Sequence, residues 1–313
     1  MGNSSSNVAI LGALASNIAV AATKFIAAYF TRSSAMVSEG IHSLVDAANT
    51  LLILIGSKRS TKQPTAKHPF GYGKEIYFWT LVVSISLFAI GGGMAIYEGI
   101  EHMLHPEPLQ DAFWNYIVLG FSLVFTGISW VLAFKEFSKT KGEKSLLNAI
   151  TDSKDPGVFA ILFEDTADLL GLVIAFIGVY LGHKLNNPYI DGASSVLIGL
   201  ILAFTSFMLA YESKGLLIGE SADPLMIESI RKIALQEPSV EMVKTPVTMH
   251  MGPQDIILAL GVSFKKELNA ESVAEAIDRI EVSIRTSYPE VKKIYIEAKS
   301  LTYFMSGNES VKL

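Results

Sequence analysis

Six stretches of nearly unbroken apolar residues occupy the first two thirds of the chain, at about Val8–Phe30, Ala35–Gly56, Ile76–Glu98, Ala112–Phe134, Pro156–Gly182 and Asp191–Tyr211. Each is close to the roughly 20 residues that a helix needs to cross a bilayer. They predict six membrane spans. From about Lys214 the pattern becomes that of a small soluble domain: Leu225–Gln236 predicts a helix, and Val240–Met249 and Ile256–Lys265 predict strands. The second strand alternates, with Ile256, Leu258, Leu260, Val262 and Phe264 on one face. Asn269 stands where a helix cap belongs, ahead of a stripe of Val273, Ile277, Ile280 and Ile284 that ends before Pro289. Lys293–Ala298 closes the series as a short strand. The expected fold is an α-helical membrane domain with six transmembrane helices over residues 1–213. A small cytoplasmic α+β domain (α-β-β-α-β, ferredoxin-like) follows over residues 214–313 and is expected to dimerise.

Composition agrees with a membrane protein, since half the residues are hydrophobic, 18% are charged and the mean hydropathy is +0.40. The first span lacks a basic leading region and a small-residue cleavage site, so it is expected to stay as a helix rather than be removed. Lys and Arg concentrate in two loops. Lys58, Arg59, Lys62, Lys67 and Lys74 separate spans two and three, and Lys139, Lys141, Lys144 and Lys154 separate spans four and five. The remaining loops hold almost none, so by the positive-inside rule both termini are expected in the cytoplasm. The membrane expected is a bacterial inner membrane.

The absence of cysteine excludes disulfides, thiolate zinc sites and thiol catalysis, leaving His, Asp and Glu as metal ligands. A net charge of −5 argues against nucleic acid as a partner. There is no P-loop, nucleophile elbow or H-E-x-x-H, so neither an ATP-driven pump nor an enzyme is expected, and no cofactor.

The informative residues are acids inside the apolar runs, where a charge costs several kcal/mol or more. "SEGIHSLVD" places His42 and Asp46 in span two, and "FEDTAD" places Glu164 and Asp168 in span five. Each pair is spaced i, i+4 and so shares one helix face. At ~1.5 Å per residue, His42 and Asp46 lie ~12 and ~18 Å from the outer edge, and Glu164 and Asp168 ~12 and ~18 Å from the inner edge. In a core ~30 Å thick these depths coincide. One imidazole and three carboxylates would then meet near the midplane, a set that suits a tetrahedral divalent cation at about 2.0–2.2 Å. Asp165 points ~100° away from Glu164 and reads as an acid that packs helices or supports the ligands from behind rather than as a ligand itself.

With these residues in view, the chain resembles the cation diffusion facilitator family over nearly its whole length. The likeness rests on the six spans, "SEGIHSLVD", "HPFGYGKE" at His68–Glu75, the acidic pair in span five and the small C-terminal domain. "KDPGVFAILFEDTAD" is similar to the zinc-transporter-nine branch, which has Glu rather than His at the position of Glu164. The resemblance implies a homodimer among membrane lipids that exchanges a divalent metal for protons, with His42, Asp46, Glu164 and Asp168 as the transport site. Zinc is the first expectation for the metal. Manganese, iron and cobalt are alternatives, because Glu164 makes the site richer in oxygen, and cadmium is a further one. In some relatives the loop after span two binds a second metal. Here His68 matches, but Thr65 and Tyr72 occupy the other places. Rival readings are a membrane metal sensor that does not transport, and an intramembrane metal hydrolase, for which Asp165 is the only candidate base.

Several other residues have plain readings. Lys24 is expected to snorkel out of span one, and Tyr77, Trp79, Trp114 and Tyr116 to anchor span ends at the interface. Asp191 is expected to be hydrated, His102 and His105 to lie in a mobile loop, Glu39 to sit near the outer mouth, and His250 to be structural.

Overall fold

A computed structural model of the protein describes residues 2–31, 34–106, 112–141 and 154–299. Within these, the side chains of Glu39, His42 and Trp114 lie outside the described set. The chain forms two compact units: one of Met1–Lys62 and Lys74–Lys214, the other of Gln63–Gly73 and Gly215–Leu313.

The first unit is helical. Its elements are α1 (Gly2–Thr31), α2 (Ser34–Ser60), α3 (Glu75–Ser86), a π-helical segment (Leu87–Gly92), α4 (Gly93–Leu104), α5 (Ala112–Lys141), α6 (Pro156–Leu185) and α7 (Tyr189–Ile218). Among the described residues, stretches in four helical runs are long and apolar enough to cross a membrane: Ile10–Ala27, Glu75–Leu104, Tyr116–Ser138 and Tyr189–Ile218. The acid-bearing helices α2 and α6 have 27 and 30 residues. At 1.5 Å per residue, either is longer than a hydrocarbon core of ~30 Å. Helix α6 starts where Asp155 accepts a hydrogen bond from the Gly157 amide at 3.1 Å with Pro156 in the first turn, and it stops at Asn186 in the left-handed conformation.

The third apolar run is one helix interrupted by a π-helical stretch that reaches Gly91 and Gly92. Its second half packs closely on α7. A Cβ on Gly99 would meet the Gly192 carbonyl oxygen and the Val196 nitrogen at 2.7 Å, and one on Gly199 would meet the Ile96 nitrogen at 2.8 Å. Only glycine lets two backbones approach this far, as in small-residue packing between membrane helices. Elsewhere α1 packs on α2 and α5, α2 on α3, and α6 on α5 with further contacts to α1, α2 and α3.

Two of the plain readings are corrected. Lys24 does not snorkel: it is 9% exposed, because it falls in the buried stripe Ile10, Ala13, Asn17, Val20, Lys24 and Ala27, spaced three or four residues apart on α1. Tyr77 is fully buried rather than interfacial, and its hydroxyl donates to the Lys154 carbonyl at 3.4 Å. Trp79, half-buried, donates from Nε1 to Glu75 at 2.9 Å.

The second unit holds α8 (Pro224–Leu235), β1 (Val240–Val243), β2 (Val247–Gly252), β3 (Asp255–Phe264), α9 (Ala270–Ser287) and β4 (Val291–Lys299). Asp223 caps α8 through the Leu225 amide, and Asn269 caps α9 through the Ser272 amide. The single strand expected over Val240–Met249 is broken at Lys244–Pro246, since Pro246 has no N–H to donate to a ladder. Strand β1 pairs antiparallel with the C-terminal end of β3 and β2 with its N-terminal part, while β4 runs parallel to β3 from Ile256 to Ser263. The alternation read in β3 is what fills the core: Ile256, Leu258, Leu260 and Val262 pack with Ile230, Ala234, Ile280 and Ile284 from the two helices.

The Gln63–Gly73 loop belongs to this second unit, which its position between two apolar runs did not suggest. The Lys293 ammonium donates to the Pro69 carbonyl at 2.8 Å and lies 4.3 Å from the Phe70 ring centroid. Gly73 sits so close to Met251 and Gly252 that a Cβ would collide with their backbone.

Arg279 of α9 clamps Glu237 beyond the end of α8, with Nη2 to Oε1 at 2.8 Å and Nε to Oε2 at 3.1 Å. The hydrogen bonds from Arg279 hold the Glu237 carboxyl below its usual range. A carboxylate with a depressed value adds stability above its unfolded value and loses it as pH falls through the folded one. Arg279→Met is therefore expected to lower the unfolding temperature of this unit at neutral pH, with the difference from wild type shrinking as the solution is acidified through that range. Calorimetry at stepped pH checks this, and a gap that stays constant down to strong acid counts against the clamp.

Candidate metal site

The acids predicted from spacing fall on two helices that touch, α2 and α6. Glu164 and Asp165 are 4% and 2% exposed, and Asp46 and Asp168 are half-buried. The charges of Asp46, Asp168 and Asp165 all bear on Glu164, and that of Asp46 also bears on Asp165. The structure thus brings Asp46 of α2 into the electrostatic neighbourhood of Glu164 and Asp165 on α6, where Asp168 also acts on Glu164. His42 lies one turn before Asp46 on α2, and its side chain is outside the described set. Among the described side chains, no group of three or more His, Asp or Glu is close enough to hold a metal ion.

The two most buried acids are held differently. Asp165 accepts a hydrogen bond from Ser129 of α5 at 2.6 Å, and one residue further on each helix Trp130 donates to Thr166 at 2.9 Å. These bonds tie α5 to α6 and turn Asp165 toward α5. Glu164 Oε1 is buried and accepts no hydrogen bond from any described residue. A buried acceptor left in that condition is costly, and a cation or a proton relieves the cost.

Helix α2 is positioned from its other side. Asn17 of α1 donates to Thr50 Oγ1 at 3.1 Å, and Thr50 Oγ1 donates in turn to the Asp46 carbonyl at 3.0 Å. Asn17, Thr50 and Ser129 had no part in the reading from sequence. The signal that would have found them is a polar residue on the inward stripe of an otherwise apolar helix, where a partner is needed.

The remaining candidates sit elsewhere. In the loop, Thr65 Oγ1 and the Tyr72 hydroxyl are 3.1 Å apart and the His68 and Tyr72 rings are 4.6 Å apart, so the three positions contact one another. His102 belongs to the last turn of α4 rather than to a loop, and its Nδ1 lies 3.3 Å from Asp191 of α7. His250 is 5% exposed within β2, with Nδ1 3.3 Å from the Gly252 carbonyl, a placement inside the sheet.

Comparison with known proteins gives the same direction. A family model described as the cation efflux transmembrane domain matches residues 10–218. The mitochondrial proton-coupled zinc antiporter SLC30A9 of Homo sapiens is 31% identical over 257 residues, which is 82% of this chain and 45% of that protein. Metal tolerance protein C4 of Arabidopsis thaliana is 25% identical over 307 residues, 97% of this chain and 64% of the relative. Magnetosome protein MamM of Magnetospirillum gryphiswaldense is 24% identical over 277 residues, covering 86% and 80%. The chain spans about half the length of the antiporters to which it is similar.

Proposed function

We propose, from the premise that this chain belongs to the cation efflux (cation diffusion facilitator) family near its zinc-transporter-nine branch, that it carries a divalent metal cation across a membrane in exchange for protons. Zinc is the metal proposed first. The cation is the cargo, bound between α2 and α6 by His42, Asp46, Glu164 and Asp168, and no cofactor takes part. The observation that carries this reading is the proximity of Asp46 on α2 to Glu164 and Asp165 on α6, with a buried Glu164 oxygen that no described residue satisfies.

Coupling follows from charge. Carboxylates crowded in a low dielectric repel one another, so a metal and a proton compete for the same oxygens. A site that meets the two sides of a membrane in turn, loading metal on one and protons on the other, performs antiport. We take α1, α2, the α3–α4 helix, α5, α6 and α7 as six spans with both termini in the cytoplasm, and the second unit as the part through which two copies associate. Glu164 favours a second reading in one respect: an oxygen donor in place of an imidazole widens the choice to manganese, iron or cobalt.

The test is metal uptake into proteoliposomes holding the purified chain, across zinc, manganese, iron, cobalt and cadmium, with lumenal pH recorded. Zinc entry accompanied by a rise in lumenal pH is expected. Tight zinc binding with no uptake of any of the five ions would replace transport by sensing.

A further inference from the structure

Among the described residues of α1 to α7, Lys24 is the one Lys or Arg that is buried. It follows Asn17 by seven residues, a rotation of ~700°, so the two leave α1 within about 20° of the same heading. Asn17 faces α2, where it bonds Thr50. A second contact sets the level: a Cβ on Gly40 of α2 would come within 2.9 Å of the Phe25 ring of α1. Residue 17 opposite 50 and residue 25 opposite 40 make the two helices antiparallel and put Lys24 opposite Ile41 to Ser43. Asp46 is three to five residues further along α2, ~4.5 to 7.5 Å by helical rise, and within ~40° of the heading of Thr50. Asp46 lies beyond Thr50 on the side away from Gly40, and Lys24 beyond Asn17 on the side away from Phe25, so the two leave their helices along the same edge of the α1–α2 contact, with an axial offset that a four-carbon lysine stem has the length to cover.

Resting on the transport site proposed above, we propose that Lys24 is the counter-cation of that site, its ammonium directed to Asp46 while no metal is bound and displaced from it as a divalent cation arrives. The charges favour this role. Three ionised carboxylates and a neutral His carry −3, which a divalent cation reduces to −1, and an uncompensated charge inside a bilayer is costly. Lys24 brings the loaded site to zero. It also opposes the metal directly, since two positive charges compete for Asp46, so it limits affinity and lets the cargo leave.

The experiment uses the purified full chain in detergent as wild type, Lys24→Met, Lys24→Arg, Asp46→Asn and the Lys24→Met/Asp46→Asn pair. Thermal unfolding is recorded without metal, and zinc is then titrated. Lys24→Met is expected to lower the unfolding temperature in the wild-type background but not in the Asp46→Asn background. It is also expected to bind zinc at least about tenfold more tightly, while Lys24→Arg keeps both properties near wild type.

An equal loss of stability in both backgrounds, or an unchanged zinc affinity in Lys24→Met, overturns the proposal and leaves Lys24 a packing residue. A Lys24→Met chain that folds only when Asp46→Asn is also present supports it, and one that folds in neither background overturns it. The unfolding measurement needs no metal. If the wild type binds no zinc, the transport site fails on that result, while the coupling between the two substitutions still decides whether Lys24 and Asp46 interact.

Discussion

Replacing Asp46 or Asp168 by Ala is expected to weaken zinc binding to the purified chain by at least about a hundredfold and to abolish uptake. Changes around a metal site that leave its ligands in place typically cost 10- to 100-fold, and loss of a ligand removes a bond to the cation as well. The remaining acids are then left crowded with less compensation. Asp165→Asn is the control, because Asp165 is turned to Ser129 on α5 and Asn still offers an oxygen to that hydroxyl. Titration calorimetry on the three variants gives the result. Zinc affinity within twofold of wild type for both Ala variants would remove the α2–α6 site from consideration. A loss in Asp165→Asn as severe as theirs would move the site one residue along α6.

Glu164→His is expected to shift selectivity toward zinc. Imidazole is a good zinc ligand, it takes one negative charge from the site, and it keeps the i, i+4 relation to Asp168. Transport of manganese or cobalt should fall relative to zinc. The pH profile should move as well, because the group that competes for the proton becomes an imidazole with an ordinary value near 6.5 instead of one of several crowded carboxyls. The substitution also replaces the buried Oε1 that no described residue satisfies. Initial rates of zinc and manganese entry into vesicles, compared at several pH values, test this. An unchanged ratio together with an unchanged profile would place Glu164 outside the bonds to the cargo.

The candidates for the proposed site are legible in the sequence because a bilayer makes polar residues conspicuous. His42, Asp46, Glu164 and Asp168 stand out in apolar runs, and i, i+4 spacing assigns each pair to one face whatever the packing. The fate of Asp165 was legible in direction only. Helical geometry turned it from Glu164, but that the neighbour is Ser129 of α5 depends on which helix packs there. Lys24 was misread for a related reason. A lysine in an apolar run can reach the surface or be enclosed, and the choice depends on whether its stripe faces lipid or other helices.

In the second unit, the alternation of β3 and the caps Asp223 and Asn269 are local signals and are present in the fold as such. The interruption of the first strand at Pro246 could have been anticipated, since proline removes a ladder donor. The attachment of Gln63–Gly73 to Lys293 joins residues more than two hundred positions apart, and no periodicity reports a contact of that range. The same holds for the approach of Gly99 to Gly192. Glycine permits close backbones, but only the packed pair shows which backbones are close.

By itself, the sequence determined that long apolar helices precede a small mixed sheet, that metal ligands must be His, Asp or Glu, and which acids share a face. These follow from periods of 3.6 and 2 and from the cost of burying charge, both properties of a local stretch. The tertiary structure alone decided that Asp46 is held near Glu164, that Ser129 takes Asp165, that Lys24 is enclosed and that the loop after α2 joins the C-terminal sheet. Each of these is a contact between distant segments, selected by how whole faces pack together, and a local pattern carries no record of its partner.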